Sequence, residues 1–386
     1  MAPQPLLQMT GPTTFPLTSA DRSRYARHLV LPDFGEVGQA QLKAAKVVVI
    51  GAGGLGSPVL QYLAAAGIGT LGIVDFDTVA TSNLQRQVLY TEAEVGQLKC
   101  HAAAQRLKAM NSGIHIEPHA IALSSDNALD ILAPYDVVVD GSDNFPTRYL
   151  VNDACVLLNK PLVYGSIYRF EGQVSVFHQW INEAYGPNYR DLFAVPPPPN
   201  QVPDCATGGV LGVLPGMIGT LQANEVIKLI TGIGSTLSGK LLLVDALSMS
   251  HRTIKIVKDP QNPLTGTRPT IDKLQDYAAF CGITPTTTNM ESITTQELKT
   301  WIDDNTDFRL IDVREPFEYE EANMGGTLIP LGEVENNLDR IPREGRVVVH
   351  CKAGGRSANA IQLLEQKHGY TNLINLEGGI LAWQAM

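Results

Sequence analysis

The sequence is poor in cysteine and in basic charge, and each shortage excludes a class of protein. Five cysteines stand among 386 residues, and no two of them form a C-x-x-C pair. Neither a disulfide framework nor a cysteine-rich zinc site is indicated, and a reducing, cytoplasmic setting is expected. Lysine and arginine total 29 against 39 acidic residues, giving a formal net charge of −10. Because phosphate backbones are bound by basic surfaces, a nucleic-acid-binding role is disfavoured.

Long uninterrupted apolar runs are also missing. The most apolar region, 47–74, is broken by several glycines and by Pro58, so it is not predicted to span a membrane. Residues 1–18 contain no lysine or arginine and four prolines. They lack the basic start and apolar run of a secretory signal and are expected to form a flexible tail.

Changes in composition and pattern predict two domains. A first domain is predicted over 19–282, a threonine-containing linker over 283–290, and a second domain over 291–386. In the first domain, an apolar strand at 46–50 is followed by glycines, a small-residue helix and a second strand that ends at Asp75. Strands then alternate with helices as far as a strand at 240–244, which is expected to close the sheet. This alternation is typical of a doubly wound α/β fold, and a shorter β-α pattern recurs in the second domain.

The glycines after the first strand form a predicted phosphate-binding loop. They are Gly51, Gly53, Gly54 and Gly56. Bare backbone N–H groups at the N-terminus of a helix bind phosphate, and Asp75 is placed to accept hydrogen bonds from a ribose. On these two features alone, an NAD-dependent oxidoreductase and an ATP-using enzyme are about equally indicated.

Polar side chains beyond the loop favour ATP chemistry. Asn83 and Arg86 follow the second strand, and Lys99 begins the next helix. Asp143 and Asn144 come directly after a strand predicted at 136–140. Attack at a nucleotide phosphorus requires neutralisation of charge on the phosphate oxygens, whereas a dinucleotide has no need of these groups around one phosphate. Asp143 is the predicted ligand of Mg²⁺, which prefers oxygen.

These features together resemble the adenylating enzymes that activate ubiquitin-like sulfur carriers, namely the molybdopterin-synthase and thiamine-carrier adenylyltransferases, which are kin of the ubiquitin-activating enzymes. The likeness is carried by segments 24–27, 51–56, 75–77, 82–87, 142–144 and 208–225 together with Lys99 and Arg148. It implies a Rossmann-like adenylating domain, a homodimer in which Arg27 reaches the neighbouring subunit's nucleotide, and a partner whose tail ends in Gly-Gly. The nucleotide-binding residues that it implies beyond the glycine loop are Asp75, Asp77, Ser82, Asn83, Leu84, Gln85, Arg86, Lys99, Asp143 and Asn144.

The sequence departs from this family at the positions of a structural zinc site. Members commonly carry two C-x-x-C pairs, but the corresponding positions here hold Asn188, Asp191, Asn262 and Thr265. Asparagine and threonine are poor zinc ligands, and one aspartate cannot hold a tetrahedral site. Structural zinc is therefore predicted to be absent.

Cys205 lies beside a run of four prolines at 196–199 and admits two interpretations. It is either a small buried hydrophobe or, matching the loop cysteine of the family, a nucleophile or resolving thiol. Cys100, Cys155 and Cys281 lie in apolar helical patterns and are assigned to the core.

Cys351 begins a loop that is predicted to cradle a sulfur anion. The loop residues are Cys351, Lys352, Ala353, Gly354, Gly355 and Arg356. Successive backbone N–H groups between a strand and a helix form an anion nest, and together with Arg356 they are expected to lower the pKa of the thiol. The segment resembles the active loop of a rhodanese, and segments 310–316 and 377–383 extend that resemblance across a small α/β domain. His350 is given no role.

The combined prediction is an adenylyltransferase and sulfurtransferase that uses ATP and Mg²⁺. The first domain would adenylate the C-terminal glycine of a ubiquitin-like sulfur carrier, with Arg27, Arg86 and Lys99 stabilising charge on the phosphates. Cys351 would accept sulfur from a cysteine desulfurase or thiosulfate and pass it on to give a thiocarboxylate, most naturally in molybdopterin biosynthesis. Thiamine, cysteine and tRNA-thiolation pathways remain alternatives, as do an NAD-dependent oxidoreductase and a non-catalytic scaffold.

Overall fold

The computed structural model describes residues 16–197, 209–281 and 290–386. The chain divides between residues 283 and 284 into two compact units. We call them the first and second units, and the domain bounds drawn from the sequence stay a prediction. Cys205, most of the linker 283–290 and most of the tail 1–18 lie outside the described residues.

The first unit is built around a mixed sheet whose parallel half matches the predicted doubly wound pattern. Among the described residues, eight strands form this sheet in the order β10-β9-β6-β5-β4-β1-β2-β3. The pairs from β3 across to β5 are parallel, whereas β6, β9 and β10 join as antiparallel neighbours. The strands of the first unit, with the small hairpin β7–β8, are β1 Lys46–Ile50, β2 Thr70–Val74, β3 His115–His119, β4 Val137–Asp140, β5 Leu162–Tyr168, β6 Glu171–Phe177, β7 Trp180–Ile181, β8 Ala184–Tyr185, β9 Lys240–Asp245 and β10 Ser250–Lys255.

Helices cover both faces of this sheet. Its described α-helices are Ser19–Arg24, Ala26–Leu29, Gly35–Ala44, Gly56–Ala66, Lys99–Met110, Ala128–Leu132, Phe145–Leu157, Leu214–Thr231 and Tyr277–Phe280. Alternate residues of β1 enter two separate apolar cores: Val47 and Val49 pack on one side, Val48 and Ile50 on the other. This period of two is the geometry of a strand that is buried on both faces.

Two sequence predictions about the edges of the first unit were wrong. The strand at 240–244 does not close the sheet, because β10 pairs with β9 in antiparallel register beyond it. The sequence from Ser19 to Leu29 also predicts one continuous helix, but this helix is broken at Tyr25, whose buried ring lies under Gly67. Cys100, Cys155 and Cys281 are buried in the cores, as predicted.

The second unit is a small parallel sheet with helices. Its strand order among the described residues is β11-β15-β14-β12-β13, and every pair is parallel. The strands are β11 Glu291–Ile293, β12 Arg309–Asp312, β13 Thr327–Leu328, β14 Val347–His350 and β15 Leu373–Leu376; the α-helices are Thr295–Asp303, Pro316–Glu321, Gly355–His368 and Gly379–Gln384. The α/β class predicted for both parts of the chain is confirmed.

Candidate active sites

The glycine loop of the first unit is tight because its backbone folds onto itself. Gly51 has a φ of 89°, a left-handed conformation that favours glycine. A Cβ on Gly56 would lie 1.9 Å from the carbonyl oxygen of Gly51, so no other residue fits there. Helix Gly56–Ala66 therefore starts directly above the end of β1, with its N-terminus facing the carboxyl edge of the sheet.

Asp75 ties this loop to the end of β2. Its Oδ2 accepts a hydrogen bond from the Ala52 N–H at 2.8 Å, and its Oδ1 accepts one from the Asp77 N–H at 2.8 Å. Burial raises the pKa of Asp75, and the opposing effects of these N–H groups and of Lys99 do not cancel that rise. Each carboxylate oxygen keeps a second lone pair, which a ribose hydroxyl can use.

A cleft of ≈ 500 Å³ opens beside this loop at the carboxyl edge of the parallel strands. The predicted residues that line it are Gly51, Gly53, Gly54, Asp75, Asp77, Asn83, Arg86, Lys99, Asp143 and Asn144. Gly56, Ser82, Leu84 and Gln85 are outside the lining, as is Arg27, which lies exposed on helix Ala26–Leu29. Most of the predicted nucleotide-binding residues therefore lie together in this cleft, where the parallel strands end. They come from five separate segments of chain.

Lys99 and Asn144, two further cleft residues, also make hydrogen bonds within the first unit. The Lys99 ammonium is buried and donates to Asp77 Oδ2 at 3.0 Å, which aims a cation at the cleft floor. Asn144 caps helix Phe145–Leu157, since its Oδ1 accepts from the Thr147 N–H at 2.9 Å. The amide N–H₂ of Asn144 and the second lone pair of its Oδ1 are left for a ligand.

Sequence reasoning gave no role to a buried cation at the base of the cleft. Arg148 lines the cleft and is nearly inaccessible, and its guanidinium stacks on the rings of Phe145 and Tyr164. Its Nε lies 3.9 Å from Asp140 Oδ2, and neither atom has a hydrogen-bond partner among the described residues. Arg148 was one of the residues that carry the family resemblance, and its place one turn into the helix that follows Asp143 was a further sequence signal.

The four positions where the resembled family holds zinc form a hydrogen-bonded cluster of side chains. Asn188 Nδ2 donates to Thr265 Oγ1 at 2.9 Å, and Asn262 Nδ2 donates to Asp191 Oδ1 at 2.8 Å. Asn262 Oδ1 in turn accepts from the Leu264 N–H. Direct side-chain hydrogen bonds thus join two chain segments that lie more than seventy residues apart. In the described part of the chain, no group of three or more His, Cys, Asp or Glu side chains is placed to hold a metal ion.

A buried ion pair fixes the same lobe to helix Phe145–Leu157. Arg190 donates two hydrogen bonds to Asp153, at 2.8 and 2.7 Å, and both side chains are almost fully enclosed. The Tyr277 hydroxyl donates to Asp153 Oδ2 at 2.7 Å, while the guanidinium stacks on Tyr149 and Phe280. The helix that begins at the cleft is therefore held at its other end by a fully satisfied polar network.

In the second unit, the Cys351 thiol sits at the end of β14 inside a cradle of hydrogen-bond donors. The Gly354 N–H donates to Sγ at 3.2 Å, and the Ser357 hydroxyl lies 3.5 Å from it. Burial raises the pKa of Cys351, but hydrogen bonds from Ser357, Ala353 and Gly354 outweigh burial and leave that pKa below its ordinary value. Backbone N–H groups of the predicted loop thus lie at the sulfur atom, and Ser357 is a further donor that the sequence reasoning missed.

Arg356 is paired with a carboxylate rather than hydrogen-bonded to the thiol. Its guanidinium forms a bidentate pair with Glu318, with both N–O distances at 2.7 Å, and in the described structure no hydrogen bond joins it to Sγ. The pKa of Arg356 is raised chiefly by this partner. The donors on the thiolate are therefore amides and a hydroxyl, and the guanidinium of Arg356 is paired.

Segments 310–316 and 377–383, which extend the rhodanese resemblance, contribute buried pairs and a close contact to the second unit. Arg314 forms a bidentate pair with buried Asp312, and His350, also buried, lies 3.6 Å from that carboxylate. Gly379 has a φ of 56°, and a Cβ there would lie 2.4 Å from the carbonyl oxygen of Cys351. Gly379, the first residue of the last helix, is thus needed for the close approach of that helix to the loop.

Ser357→Ala is expected to raise the pKa of the Cys351 thiol, because it removes a hydroxyl that lowers it. The rate of alkylation by iodoacetamide follows the thiolate fraction, so the half-point of its pH profile should move to higher pH. Ser292→Ala, an exposed serine of β11, is the matched control and should leave the profile unchanged. An unshifted profile for Ser357→Ala would show that the amides alone stabilise the thiolate.

The two sites define a group-transfer enzyme with a nucleotide-type cleft in one unit and a stabilised thiolate in the other. The chain belongs to the ThiF family, whose model matches residues 25–264, and a rhodanese-like domain model matches residues 294–386. The resemblance inferred from the motifs is confirmed.

Relatives along the full chain agree with this assignment. The chain is 48% identical over 374 residues to the probable adenylyltransferase/sulfurtransferase MoeZ of Mycobacterium tuberculosis, covering 95% of this chain and 94% of that protein. It is 55% identical over 267 residues to the sulfur carrier protein adenylyltransferase of Thermus thermophilus, covering 69% of this chain and 98% of the relative. The chain is accordingly an enzyme, an adenylyltransferase and sulfurtransferase.

A solved structure shares the fold. The crystal structure of E. coli MccB with MccA-N7isoASN superposes with a TM-score of 0.56 at 23% identity, covering 66% of this chain and 77% of that one. Among the described helices, none has the length and apolarity needed to cross a membrane.

Proposed function

We propose that the first unit adenylates the C-terminal glycine of a ubiquitin-like sulfur carrier with ATP, and that Cys351 supplies the sulfur for its thiocarboxylate. The observation that carries the proposal is the joint presence of a phosphate-type cleft with Lys99 and Arg86 on its wall and a stabilised thiolate at Cys351. Molybdopterin biosynthesis is the pathway we propose for the carrier.

The cleft supplies the groups that adenylation needs. The glycine loop offers backbone N–H groups to phosphate, and Asp75 is placed for the ribose. Lys99 and Arg86 stabilise the negative charge that builds up as the carrier carboxylate attacks the α-phosphorus and pyrophosphate leaves. Arg27 is outside the lining of its own cleft, and we propose that it acts on the nucleotide of a second copy in a homodimer.

The donor set of the cleft fits Mg²⁺. Asp143 is an exposed carboxylate in the lining, and Mg²⁺ is commonly held by one or two carboxylates together with substrate phosphates. When bound, it would neutralise phosphate charge. Asp140 is a poorer candidate ligand, because one of its oxygens is engaged by Ser142 and it is fully enclosed.

The sulfur steps balance with one external reductant. The Cys351 thiolate takes a sulfane sulfur from the donor, and the resulting persulfide attacks the acyl carbon, releasing AMP and leaving an acyl disulfide. Attack on Cys351 Sγ by a second thiol, for which we propose Cys205, releases the thiocarboxylate and leaves a disulfide. A cellular dithiol then reduces that disulfide and restores both thiols.

The test of the proposal is exchange of labelled pyrophosphate into ATP in the presence of a carrier. Exchange should require a carrier ending in Gly-Gly, and the molybdopterin carrier should be preferred over thiamine, cysteine and tRNA-thiolation carriers. Asp143→Ala is expected to lower exchange by about 10²-fold or more, since it removes the predicted Mg²⁺ ligand.

Asp272→Ala, an exposed aspartate outside the cleft, is the matched control and should exchange normally. Absence of exchange with every carrier would refute the proposal. NAD-dependent activity in place of exchange would favour the oxidoreductase alternative.

A further inference from the structure

In the thiolate loop of the second unit, the arginine is paired rather than free, and Lys352 is exposed. Arg356, in the first turn of helix Gly355–His368, is held by both oxygens of Glu318 at 2.7 Å. Arg314, the neighbouring arginine, is committed to buried Asp312. A bidentate carboxylate both neutralises a guanidinium and occupies the N–H groups that would recognise an oxyanion.

Glu318 is also fixed in place from its own helix. Its Oε2 accepts from the Glu315 N–H at 3.0 Å, which closes a capping box at the start of helix Pro316–Glu321. Its side chain is 15% exposed and that of Arg356 is 28% exposed. A pair that is partly enclosed and held by two backbone elements is not easily opened by an approaching anion.

Two kinds of sulfur donor differ in the negative charge that they and their leaving groups bring close to this paired arginine. Thiosulfate arrives as a dianion and leaves as dianionic sulfite, so its transfer benefits from an uncompensated cation near Sγ. A persulfide donor carries its sulfane sulfur on the sulfur of a thiol. Its leaving group is therefore a thiolate, with one unit of negative charge. In both cases the Cys351 thiolate attacks the sulfane sulfur, an S–S bond forms at Sγ, and the donor's bond to that sulfur breaks with its electron pair going to the leaving group.

We propose that Glu318 is a selectivity residue: by pairing with Arg356, it makes the second unit prefer a persulfide donor over thiosulfate. The inference rests on the proposed function, in that Cys351 is the sulfur acceptor, and it narrows the donor to persulfide sulfur. Glu318 acts through Arg356 and is a positioning residue rather than a catalytic one.

The test compares two donors on the full chain. Persulfide formation at Cys351 is followed by intact mass and by transfer to cyanide, with thiosulfate or cysteine persulfide as the donor. Glu318→Gln keeps the capping box, which accepts glutamine, but removes the charge that neutralises Arg356. We expect kcat/KM for thiosulfate to rise about tenfold and that for cysteine persulfide to change by less than about twofold.

Glu321→Gln is the matched control, since it removes the same charge from an exposed position on the same helix. It should change neither rate. In an Arg356→Met background, Glu318→Gln should lose its effect, because the cation it releases is gone.

Two results would overturn the inference: an unchanged ratio of kcat/KM for the two donors, which includes an equal rise for both, or the same shift in Glu321→Gln. Persistence of the effect in the Arg356→Met background would also overturn it. Failure of the unaltered chain to load sulfur from either donor is a different result, since it would remove the proposed function itself.

Discussion

Replacing Cys351 by alanine is expected to abolish sulfur transfer while leaving adenylation intact. No other thiol in the described part of the second unit can accept the sulfur, because Cys351 is the one cysteine there. Removal of a nucleophile commonly costs about 10³-fold or more, down to the background reaction. Thiocarboxylate formation should therefore fall to background, whereas carrier-dependent pyrophosphate exchange should stay within about twofold of the unaltered chain.

The matched control is Cys281→Ala, which removes a cysteine of a different kind. Burial raises the pKa of Cys281 to about 11, so at neutral pH it stays a protonated thiol. This variant should keep both activities. Loss of exchange in Cys351→Ala would contradict the division of labour between the two units, and retained thiocarboxylate formation would favour the scaffold alternative.

The elements that could be predicted from the sequence are those whose buried positions form a regular pattern of apolar residues. Strand β1 has the predicted bounds and helix Lys99–Met110 the predicted start, because each buries a regular set of apolar positions. Strand β10 was missed for the opposite reason, since all of its residues are exposed and it carries no alternating signal. Helix Gly35–Ala44 was missed because its buried face includes Gln39 and Gln41.

The same logic separates the predicted from the unpredicted parts of the sites. The cleft was predictable because the ends of parallel strands meet at one edge, which gathers Asp75, Lys99 and Asp143 without any knowledge of side-chain rotamers. Partners that come from elsewhere in the chain were not predictable. Glu318 lies 38 residues before Arg356, and nothing local marks the two as a pair. Its presence neutralises the positive charge that the sequence placed beside the thiol.

The absence of cysteine from the lobe at 188–191 and 262–265 raises the question of what holds it. Side-chain hydrogen bonds link the two segments, and the Arg190–Asp153 pair joins the first segment to helix Phe145–Leu157. That helix begins at the cleft with Asn144, so the position of the cleft wall depends on a buried network at the helix's far end. The stability of this lobe and the geometry of the nucleotide site are therefore expected to change together.

Asp153→Ala is expected to destabilise the first unit more than any surface substitution does. It leaves the Arg190 guanidinium enclosed without its carboxylate and removes the acceptor of the Tyr277 hydroxyl. Breaking a buried pair on one side costs about 3–5 kcal/mol, because the remaining charge is neither hydrated nor compensated. For a unit of this size the melting temperature should fall by roughly 6–20 °C. Calorimetry of the full chain should show that the melting temperature of one transition is lowered. Pyrophosphate exchange should be lost on heating through that lowered melting temperature.

A variant that lacks both charges distinguishes the contribution of the ion pair to stability from the cost of leaving one buried charge unpaired. Asp153→Asn with Arg190→Met keeps an oxygen for the Tyr277 hydroxyl and buries no charge, so this double variant should melt above Arg190→Met alone. Asp130→Ala, at an exposed aspartate of helix Ala128–Leu132, should melt within about 1–2 °C of the unaltered chain. If the double variant were the least stable of the series, the pair itself would be the source of stability. If Asp153→Ala melted with the exposed control, the network would not hold the lobe, and the link from this buried pair to the cleft would have to be abandoned.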